Sequence, residues 1–344
     1  MYTMSATTRL LRSSLVDLLV GPHGIDRYLE LVRPTLTVSD ARPDVLAVRR
    51  QTARSVTVTL RPNAAWRGFR AGQFLRVGVE IDGVRRTRTY SPASSEHCAE
   101  LELTVTVHPD GLVSGHLRDH LTPGAVLHLG DAGGDFVLPR PTPERLVLIS
   151  GGSGVTPIVS MLRTLRDEGH TGEIEFIHFA RTAADWLYRA EVEALPNVEA
   201  KFIATRESGG HLHDQILDDR AYAAVCGPPA LLDAARDLFP AERLLTETFT
   251  PPSFVVSGAA AQGTLRFLRS GREAQVAGGT LLEQAEAAGL TPEFGCRMGI
   301  CHSCTCRKTA GAVRDMRTGA ISAEEDEDIQ LCVSVPAGDV ALEI

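Results

Sequence analysis

The chain lacks several features that mark other classes of protein. Its 344 residues carry a formal net charge of −8, so it lacks the basic excess that is typical of nucleic-acid binding. No apolar run approaches the length of a membrane span. The start, residues 1–21, is a poor signal peptide because Arg12 and Asp17 interrupt its apolar part. The scattered cysteines Cys98, Cys226 and Cys306 suggest no disulfide framework. These absences predict a cytoplasmic protein without a nucleic-acid partner.

Four cysteines near the C-terminus have a spacing that indicates iron. Cys296, Cys301 and Cys304 read C-x4-C-x2-C, and Cys332 follows after 27 intervening residues. This is the plant-type spacing of a [2Fe–2S] cluster. Zinc or a disulfide pair is the alternative, but zinc sites favour two closely spaced cysteine pairs or histidine ligands. We therefore predict that these four cysteines are the cluster ligands and that Cys306 is not one.

Periodicity changes several times along the chain. Residues 7–33 have the pattern of an amphipathic helix that Pro34 ends. Short alternating strands separated by Pro and Gly turns follow, which predicts a small antiparallel barrel. Beyond the proline-rich hinge at 139–143, strands alternate with helices, which predicts a doubly wound parallel sheet. The last part suits a small mixed sheet with one helix. The predicted parts are 1–42, 43–139, 140–249, a linker over 250–262, and 263–344.

The same patterns predict individual elements. Strands are predicted over 55–60, 73–79, 101–107, 145–149, 173–177, 201–204 and 223–226, and helices over 157–168, 185–195, from Pro229 onward and over 280–288.

A glycine-rich turn, Gly151-Gly152-Ser153-Gly154, lies between a predicted strand and a predicted helix. Glycines let the backbone approach a pyrophosphate, and N–H groups at a helix start favour its negative charge. The third glycine of the ordinary dinucleotide fingerprint is replaced by Pro157, which suits the first turn of a helix. The turn predicts a dinucleotide site that differs from that of a common Rossmann dehydrogenase.

Two further motifs lie in the barrel region. Arg88-Thr89-Tyr90-Ser91 follows a strand, and its Arg and Tyr could pair with a phosphate and stack on a ring. It could equally be an ordinary edge strand. Residues 111–117 begin a helix whose N–H groups could meet a second phosphate, or which is simply capped.

The ordered set of these motifs, ending in Cys226-Gly227-Pro228-Pro229, resembles the ferredoxin–NADP reductase superfamily. With the C-terminal cysteines, residues 45–344 resemble a three-part flavin and iron–sulfur oxidoreductase. The resemblance implies a flavin-binding antiparallel β-barrel, an α/β nicotinamide-binding domain and an α+β ferredoxin domain of the β-grasp type. The domain order and the segment Gly24-Ile25-Asp26 are similar to actinobacterial reductases that serve membrane fatty-acyl desaturases and alkane hydroxylases.

The resemblance also implies roles for individual residues. Arg88 would hold the flavin phosphate, Tyr90 would pack on the isoalloxazine, and Ser91 would lie near its reactive nitrogen. Thr89 is a further cofactor-binding position of this motif. Cys226 would lie beside the nicotinamide, although a buried strand cysteine needs no such role. Phe249 would lie near the flavin face, or pack against the linker. Ser114 and Gly115 would contact the flavin pyrophosphate or ribityl region, with Val113 as a further cofactor-binding position. The remaining positions are Gly152, Gly154, Thr156 and Gly227 for the nicotinamide dinucleotide.

The function that follows is a reductase that takes a hydride from NADPH or NADH and passes single electrons outward through FAD and the [2Fe–2S] cluster. FAD is favoured over FMN. The acceptor would be a terminal oxygenase or desaturase, through which the protein could associate peripherally with a membrane. The alternative is the reductase of a ring-hydroxylating dioxygenase or a steroid hydroxylase. A redox sensor or binding module is the alternative from another class, but it would not need a nicotinamide site.

Two charged segments predict which coenzyme and which kind of acceptor the protein prefers. Thr205 and Arg206 follow a strand where the superfamily often holds the extra phosphate of NADPH, with Arg181 as a helper, although Arg206 could be a solvated loop charge. The acidic run over 324–328 predicts a docking surface for a basic acceptor, or a solvated loop or helix start that Ser322 caps.

Overall fold

A computed structural model describes residues 24–109, 111–216, 220–250 and 262–344. The chain splits into two compact units, Met1–Arg86 with Tyr90–Thr250, and Thr87–Thr89 with Pro251–Ile344. Most of the helix predicted over 7–33 lies outside the described residues, and its last part is helix α1, Gly24–Val32. Most of the predicted linker also lies outside them.

The first part of the fold is an antiparallel barrel of two three-stranded sheets. One sheet has the order β1 (Asp44–Arg50), β2 (Ser55–Arg61), β5 (Leu101–Thr106), and the other has β4 (Val84–Tyr90), β3 (Phe74–Ile81), β6 (His128–Gly133). Isolated bridges from Ala41 and Asp44 to the β6 side link the two sheets. Helix α2, Leu112–Asp119, buries Val113 and Leu117 in the same core. The predicted antiparallel barrel is confirmed.

Helix α1 is fastened to the chain that enters the barrel. The Asp26 carboxylate accepts hydrogen bonds from the N–H groups of Val38 and Ser39 at 2.6 and 2.9 Å. Burial raises the pKa of Asp26, but hydrogen bonds from Ser39 and Val38 outweigh it, and the pKa lies below its ordinary value. The Gly24-Ile25-Asp26 segment therefore has a structural role in this chain.

The second part is a five-stranded parallel sheet with helices on both faces. The strand order is β11 (Leu244–Glu247), β10 (Tyr222–Cys226), β7 (Arg145–Gly151), β8 (Glu173–Ala180), β9 (Val198–Ala204). The helices are α3 (Val155–Asp167), α4 (Arg189–Glu193) and α5 (Pro229–Leu238). Apolar side chains of the central strands alternate between two core clusters, one on each face, as both faces of a parallel sheet are covered. The doubly wound sheet is confirmed.

The helix predicted over 185–195 is shorter than expected. A 3-10 turn covers Ala183–Asp185, and α4 covers only Arg189–Glu193. Tyr188, just before α4, has a left-handed φ of +61°, which ends any continuous helix. Its hydroxyl bonds to Thr104 and Glu102 on strand β5. Tertiary contacts of one side chain therefore override the local helical pattern, and this prediction was wrong in its extent.

The second unit is a mixed sheet with the order β13 (Arg272–Gln275), β12 (Thr264–Phe267), β17 (Ser334–Leu342), β14 (Thr305–Asp315), β15 (Ile321–Ser322), while β16 (Glu327–Gln330) pairs with β14. Strands β12 and β17 are parallel, and β14 is antiparallel to β17. Helix α6, Leu281–Ala287, begins with a reciprocal capping box between Thr280 and Glu283. This confirms the predicted α+β fold.

The acidic run is not a helix start. Glu327 and Asp328 begin strand β16 and pair with Lys308 and Arg307 of β14. Lys308 is fully buried, with its ammonium 3.6 Å from the Glu327 carboxylate and 2.9 Å from the Gly311 carbonyl oxygen. Ser322 donates to Glu327 at 2.6 Å rather than capping a helix. The buried ammonium needs a carboxylate, so part of the run is structural, and the expectation of a helix start was wrong.

Candidate functional site

The glycine turn lies at the carboxyl end of β7, where it leads into α3. A 3-10 turn covers Gly152–Gly154, and the cap residue Gly154 gives no side-chain hydrogen bond to α3. A Cβ at Gly154 would lie 2.3 Å from the Cys226 carbonyl oxygen, so only glycine fits. Thr156 is buried, and its hydroxyl donates to the Ser153 carbonyl at 3.2 Å. The first N–H groups of α3 therefore lack a side-chain partner, as a phosphate site at a helix start requires.

Cys226 and Gly227 lie beside this turn, at the end of β10. Cys226 is fully buried and aligns with Ser150 of β7 on one side and Glu247 of β11 on the other. Burial, and then the Glu247 carboxylate, raise the pKa of the Cys226 thiol, so it stays neutral near pH 7. A Cβ at Gly227 would lie 2.8 Å from Leu231 Cδ2. The thiol also belongs to the sheet core, so packing is part of its role.

Glu247 is a candidate that the sequence did not single out. Burial raises the pKa of its carboxyl, Asp135 adds to this, and the Thr248 N–H opposes it. Its position beside Cys226 depends on parallel strand register, which the sequence does not show. The available signal was an ionisable residue at the carboxyl end of a strand, where ligands of such sheets bind. Phe249, two residues later, is 38% exposed.

The β8 and β9 strand ends bring Thr205, Arg206 and Arg181 together. Thr205 donates to the Ala180 carbonyl through its N–H at 2.9 Å and its hydroxyl at 3.2 Å. The Arg206 N–H donates to the Arg181 carbonyl at 3.0 Å. Both arginines are exposed. Thr205, Arg206 and Arg181 therefore form a positively charged group at this edge of the sheet, which we call the positive corner.

The barrel motifs divide between strand β4 and the start of α2. Arg88, Thr89 and Tyr90 close β4, and Ser91 follows, buried. Arg88 donates to the Thr87 carbonyl at 2.7 Å, and Tyr90 packs against the barrel core. At the start of α2, the Ser114 hydroxyl donates to the Gly111 carbonyl at 3.2 Å, and no side chain caps the helix among the described residues. A Cβ at Gly115 would meet nothing within 4 Å, which leaves this face of α2 open.

The four predicted ligand cysteines are all buried in the second unit, and the structure brings them together as two pairs. Cys296 is hydrogen-bonded to Cys301, and Cys304 to Cys332. The N–H of Cys296 donates to Cys301 Sγ at 3.2 Å, and the N–H of Met298 donates to Cys296 Sγ at 3.3 Å. The bond from Cys296 lowers the pKa of Cys301. Two thiol pairs with N–H donors fit the ligand set of a two-iron cluster.

Backbone geometry keeps the cysteine loop compact. A Cβ at Gly295 would lie 2.7 Å from Cys301 Sγ, and Gly299 has a φ of +74°. Arg317 donates through Nη1 to the Gly299 carbonyl at 2.7 Å, and its Nη2 lies 2.9 Å from Asp315. This clamp was not predicted, because nothing in the sequence links Arg317 to a loop 18 residues away. Cys306 lies on β14, and its thiol donates to the Arg307 carbonyl at 3.5 Å.

Three known domain families match these three parts. The oxidoreductase FAD-binding domain matches residues 48–137, the oxidoreductase NAD-binding domain 148–237, and the 2Fe-2S iron–sulfur cluster binding domain 266–337. An NADPH oxidoreductase of Mycobacterium tuberculosis is 36% identical over 338 residues, which cover 93% of this chain and 88% of the relative. The chain belongs to the ferredoxin–NADP reductase superfamily. It is an NAD(P)H-dependent oxidoreductase with FAD and a [2Fe–2S] cluster as cofactors, which excludes a sensor without nicotinamide chemistry.

Another relative and a solved structure are similar over most of the chain. The glycine betaine monooxygenase reductase subunit of Chromohalobacter salexigens is 28% identical over 320 residues, 80% of this chain and 87% of its own. The structure of phthalate dioxygenase reductase superposes with a TM-score of 0.62, covers 89% of this chain and 98% of its own, and is 22% identical. That structure supports the fold. Among the described residues, no helix is long and apolar enough to cross a membrane.

Proposed function

We propose that this chain is the reductase component of an oxygenase system, passing single electrons from NAD(P)H to a terminal oxygenase. The observation that carries the proposal is the four buried thiols in a chain that also holds the flavin and nicotinamide domains. A hydride donor delivers two electrons together, whereas an iron–sulfur cluster accepts one, and FAD supplies the conversion between them when bound. The reductase subunit of glycine betaine monooxygenase, a relative of similar extent, supports this assignment.

The acceptor that we propose first is a membrane fatty-acyl desaturase or an alkane hydroxylase. The domain order and the Gly24-Ile25-Asp26 segment support it, and any peripheral membrane association would arise through that acceptor. The second candidate is a ring-hydroxylating dioxygenase or a steroid hydroxylase. Reconstitution with each acceptor class, with oxygen-dependent product formation as the readout, separates the two.

For the flavin, the proposed binding residues lie at the start of α2 and at the end of β4. Arg88 provides positive charge for the phosphates, Tyr90 provides an aromatic face anchored in the barrel core, and Ser91 provides a buried hydroxyl for the reactive edge of the ring. The uncapped first turn of α2 provides N–H groups for the pyrophosphate. Thr89, Val113, Ser114 and Gly115 complete the proposed set.

For the nicotinamide dinucleotide, the turn at Gly152 and Gly154 and the first turn of α3 would hold the pyrophosphate. Thr156 fixes the turn through its bond to Ser153. The neutral Cys226 thiol and Gly227 would border the nicotinamide, and Phe249 would shield the flavin face until the coenzyme enters. We propose NADPH as the preferred coenzyme because Thr205 and Arg206 lie at the positive corner beside Arg181.

The test of the proposed function uses Cys301→Ser. We expect the purified variant to lose the visible absorbance of the iron–sulfur cluster and to keep its flavin spectrum, because the flavin-binding domain matches residues 48–137, far from Cys301 in the chain. Reduction of ferricyanide by the nicotinamide should persist, since the flavin can serve that small acceptor directly. Electron transfer to the terminal oxygenase should collapse.

Cys306→Ser is the matched control. Its thiol is buried two positions from Cys304, but it faces the Arg307 carbonyl, so the cluster absorbance should remain. An intact cluster spectrum in Cys301→Ser, or oxygenase turnover that survives loss of the cluster, would contradict the proposed path of electrons.

A further inference from the structure

Helix α3 does more than begin at the glycine turn. Along its length it is hydrogen-bonded to the chain segment that directly follows the Arg88–Ser91 motif. The buried Ser160 hydroxyl donates to the Ser94 carbonyl at 2.7 Å, and Arg163 Nη1 donates to the Ala93 carbonyl at 2.9 Å. The buried Thr164 hydroxyl accepts from the Glu96 N–H at 3.1 Å. One helix therefore starts at the proposed coenzyme site and is bonded to the segment that continues from the proposed flavin motif.

We call these contacts of helix α3 with residues 93–96, together with the contacts of Arg163 described next, the seam. Arg163 lies at its centre. Its Nε and Nη2 form a fork on the two carboxylate oxygens of Glu191 in α4, at 2.6 and 2.7 Å. Its Nη1 also reaches Glu102 of barrel strand β5 at 2.9 Å. The side chain is only 16% exposed, and its guanidinium carbon lies 5.2 Å from the centroid of the Tyr188 ring. Tyr188 in turn donates to Glu102 at 3.2 Å.

The ion pairs of the seam fix the arrangement of the elements that they join more than they stabilise the folded protein. A buried ion network gives little net stabilisation compared with apolar packing, but its fixed donor directions impose one arrangement. Arg163 uses a planar fork toward α4 and a separate N–H toward the barrel, which a lysine ammonium cannot reproduce. Burial lowers the pKa of Arg163, but hydrogen bonds and charges from Glu191 and Glu102 outweigh this and raise it overall, so the guanidinium stays charged.

The spacing along the helix connects the seam to the chemistry. Arg163 lies seven residues beyond Thr156, which is about 10 Å along the helix axis at 1.5 Å per residue. A shift of α3 against the barrel therefore moves the glycine turn by a similar amount, because the helix is a rigid rod over this length. Hydride transfer requires reacting atoms in near contact, so it is sensitive to such shifts.

We propose that Arg163 is a positioning residue for hydride transfer, whose guanidinium fixes the nicotinamide domain against the flavin barrel through Glu102, Glu191 and the Ala93 carbonyl. The proposal rests on the assignments of the flavin and coenzyme sites made above. Arg163 acts on the relative placement of the two sites, and it does not itself touch either cofactor.

The experiment uses the full-length holoenzyme with Arg163→Gln and Arg163→Lys. We expect Arg163→Gln to slow flavin reduction in anaerobic stopped flow by about 10- to 100-fold, the scale of a misplacement near 1 Å. Coenzyme affinity and flavin content should stay close to the parent values, because the residues that bind each cofactor are unchanged. The long-wavelength absorbance that arises when nicotinamide stacks on flavin should weaken. Arg163→Lys should recover only part of the rate, since it keeps the charge and loses the fork.

Arg166→Gln is the control on the same helix. Arg166 is exposed and pairs with its neighbour Asp167 at 2.9 Å, so neither the reduction rate nor the stacking absorbance should change. If Arg163→Gln does not fold, Tyr188→Phe carries the test, because it removes the bond to Glu102 and keeps the ring; a slower reduction with weaker stacking absorbance is again expected.

Parent-like reduction and stacking absorbance in a folded Arg163→Gln, or in Tyr188→Phe when that variant carries the test, would overturn the proposal. Slow reduction that Arg163→Lys restores fully would also overturn it, since charge alone would then suffice. Failure of the parent protein to bind FAD or to be reduced by NAD(P)H would instead contradict the site assignments on which the proposal depends.

Discussion

Arg181 and Arg206 occupy neighbouring strand ends, and no acidic side chain pairs with either guanidinium among the described residues. Thr205 is fixed beside them by its two bonds to Ala180. Glu207 points elsewhere, because its carboxylate accepts the Ala183 N–H at 3.0 Å. Two unpaired guanidiniums beside a threonine hydroxyl suit a phosphate better than the neutral ribose hydroxyl of NADH.

Arg206→Ala should therefore reduce kcat/KM for NADPH by about 10- to 150-fold, since a charge-assisted contact to phosphate contributes about 1.5–3 kcal/mol. Activity with NADH should change little. Steady-state kinetics with both coenzymes provides the measurement. Arg236→Ala is the matched control, because that exposed arginine pairs with Asp233 on helix α5. An unchanged ratio of NADPH to NADH efficiency would show that Arg206 is a solvated loop charge.

Residues differ in how far the sequence reveals their roles. The cysteine ligands could be predicted because a short loop fixes three of them relative to one another, so their spacing is a direct record of geometry. Glu247 and Arg317 could not, because each acquires its neighbour through strand pairing or a contact between a turn and the cysteine loop. Lys308 is a similar case, since its complete burial depends on the fold of the segment that holds Glu327.

At the scale of elements, helix α3 depends on a close approach at Gly154, the residue that precedes it. Gly154 has a φ of −63°, so alanine would be allowed by the backbone. The obstacle is the Cys226 carbonyl, 2.3 Å from the position of a Cβ. The end of β10 and the start of α3 must separate to accept even one methyl group.

Gly154→Ala should therefore displace the start of α3 and weaken coenzyme binding, with KM for NAD(P)H raised by about tenfold or more, since small displacements at such sites are costly. Flavin content should be unaffected. Gly278→Ala is the control, because a Cβ there meets nothing within 4 Å and its φ is not positive. A parent-like KM in Gly154→Ala would mean that the turn does not carry the dinucleotide.

Predictions of elements succeeded where periodicity is long and failed where one tertiary contact decides. The predicted strand over 145–149 and helix over 157–168 correspond to β7 and α3, because buried parallel strands and their crossover helices have strong apolar patterns. The helix over 185–195 was overestimated because Tyr188 is held in a left-handed conformation by barrel residues. The run of acidic residues before Cys332 resembles a helix start, but its last two residues, Glu327 and Asp328, pair with strand β14.

For the whole molecule, electron delivery requires that a partner protein reach the cluster. Electrostatic attraction between charged surfaces is the interaction that acts at long range during this approach. Residues 261–344 contain twelve acidic and eight basic residues. The acidic run contains residues in two different environments. Glu327 compensates the buried Lys308, whereas Glu325 and Asp326 are exposed shortly before the ligand Cys332. Arg307 lies 4.0 Å from Asp326 and offsets it only weakly.

We expect the double variant Glu325→Gln with Asp326→Asn to transfer electrons to its terminal oxygenase more slowly at low ionic strength, by about 3- to 10-fold, because steering of a basic surface would be weakened. The difference from the parent should fade as salt rises, since screening acts on both proteins. Ferricyanide reduction should be unchanged. Asp237→Asn with Glu242→Gln is the control: these exposed acids of the first unit change the net charge equally but lie in a different unit from the cluster cysteines. Equal rates and equal salt dependence for both double variants would show that Glu325 and Asp326 are ordinary solvated surface residues. A loss confined to the Glu325 and Asp326 variant would instead assign acceptor recognition to this segment, while Glu327 and Lys308 hold it in place.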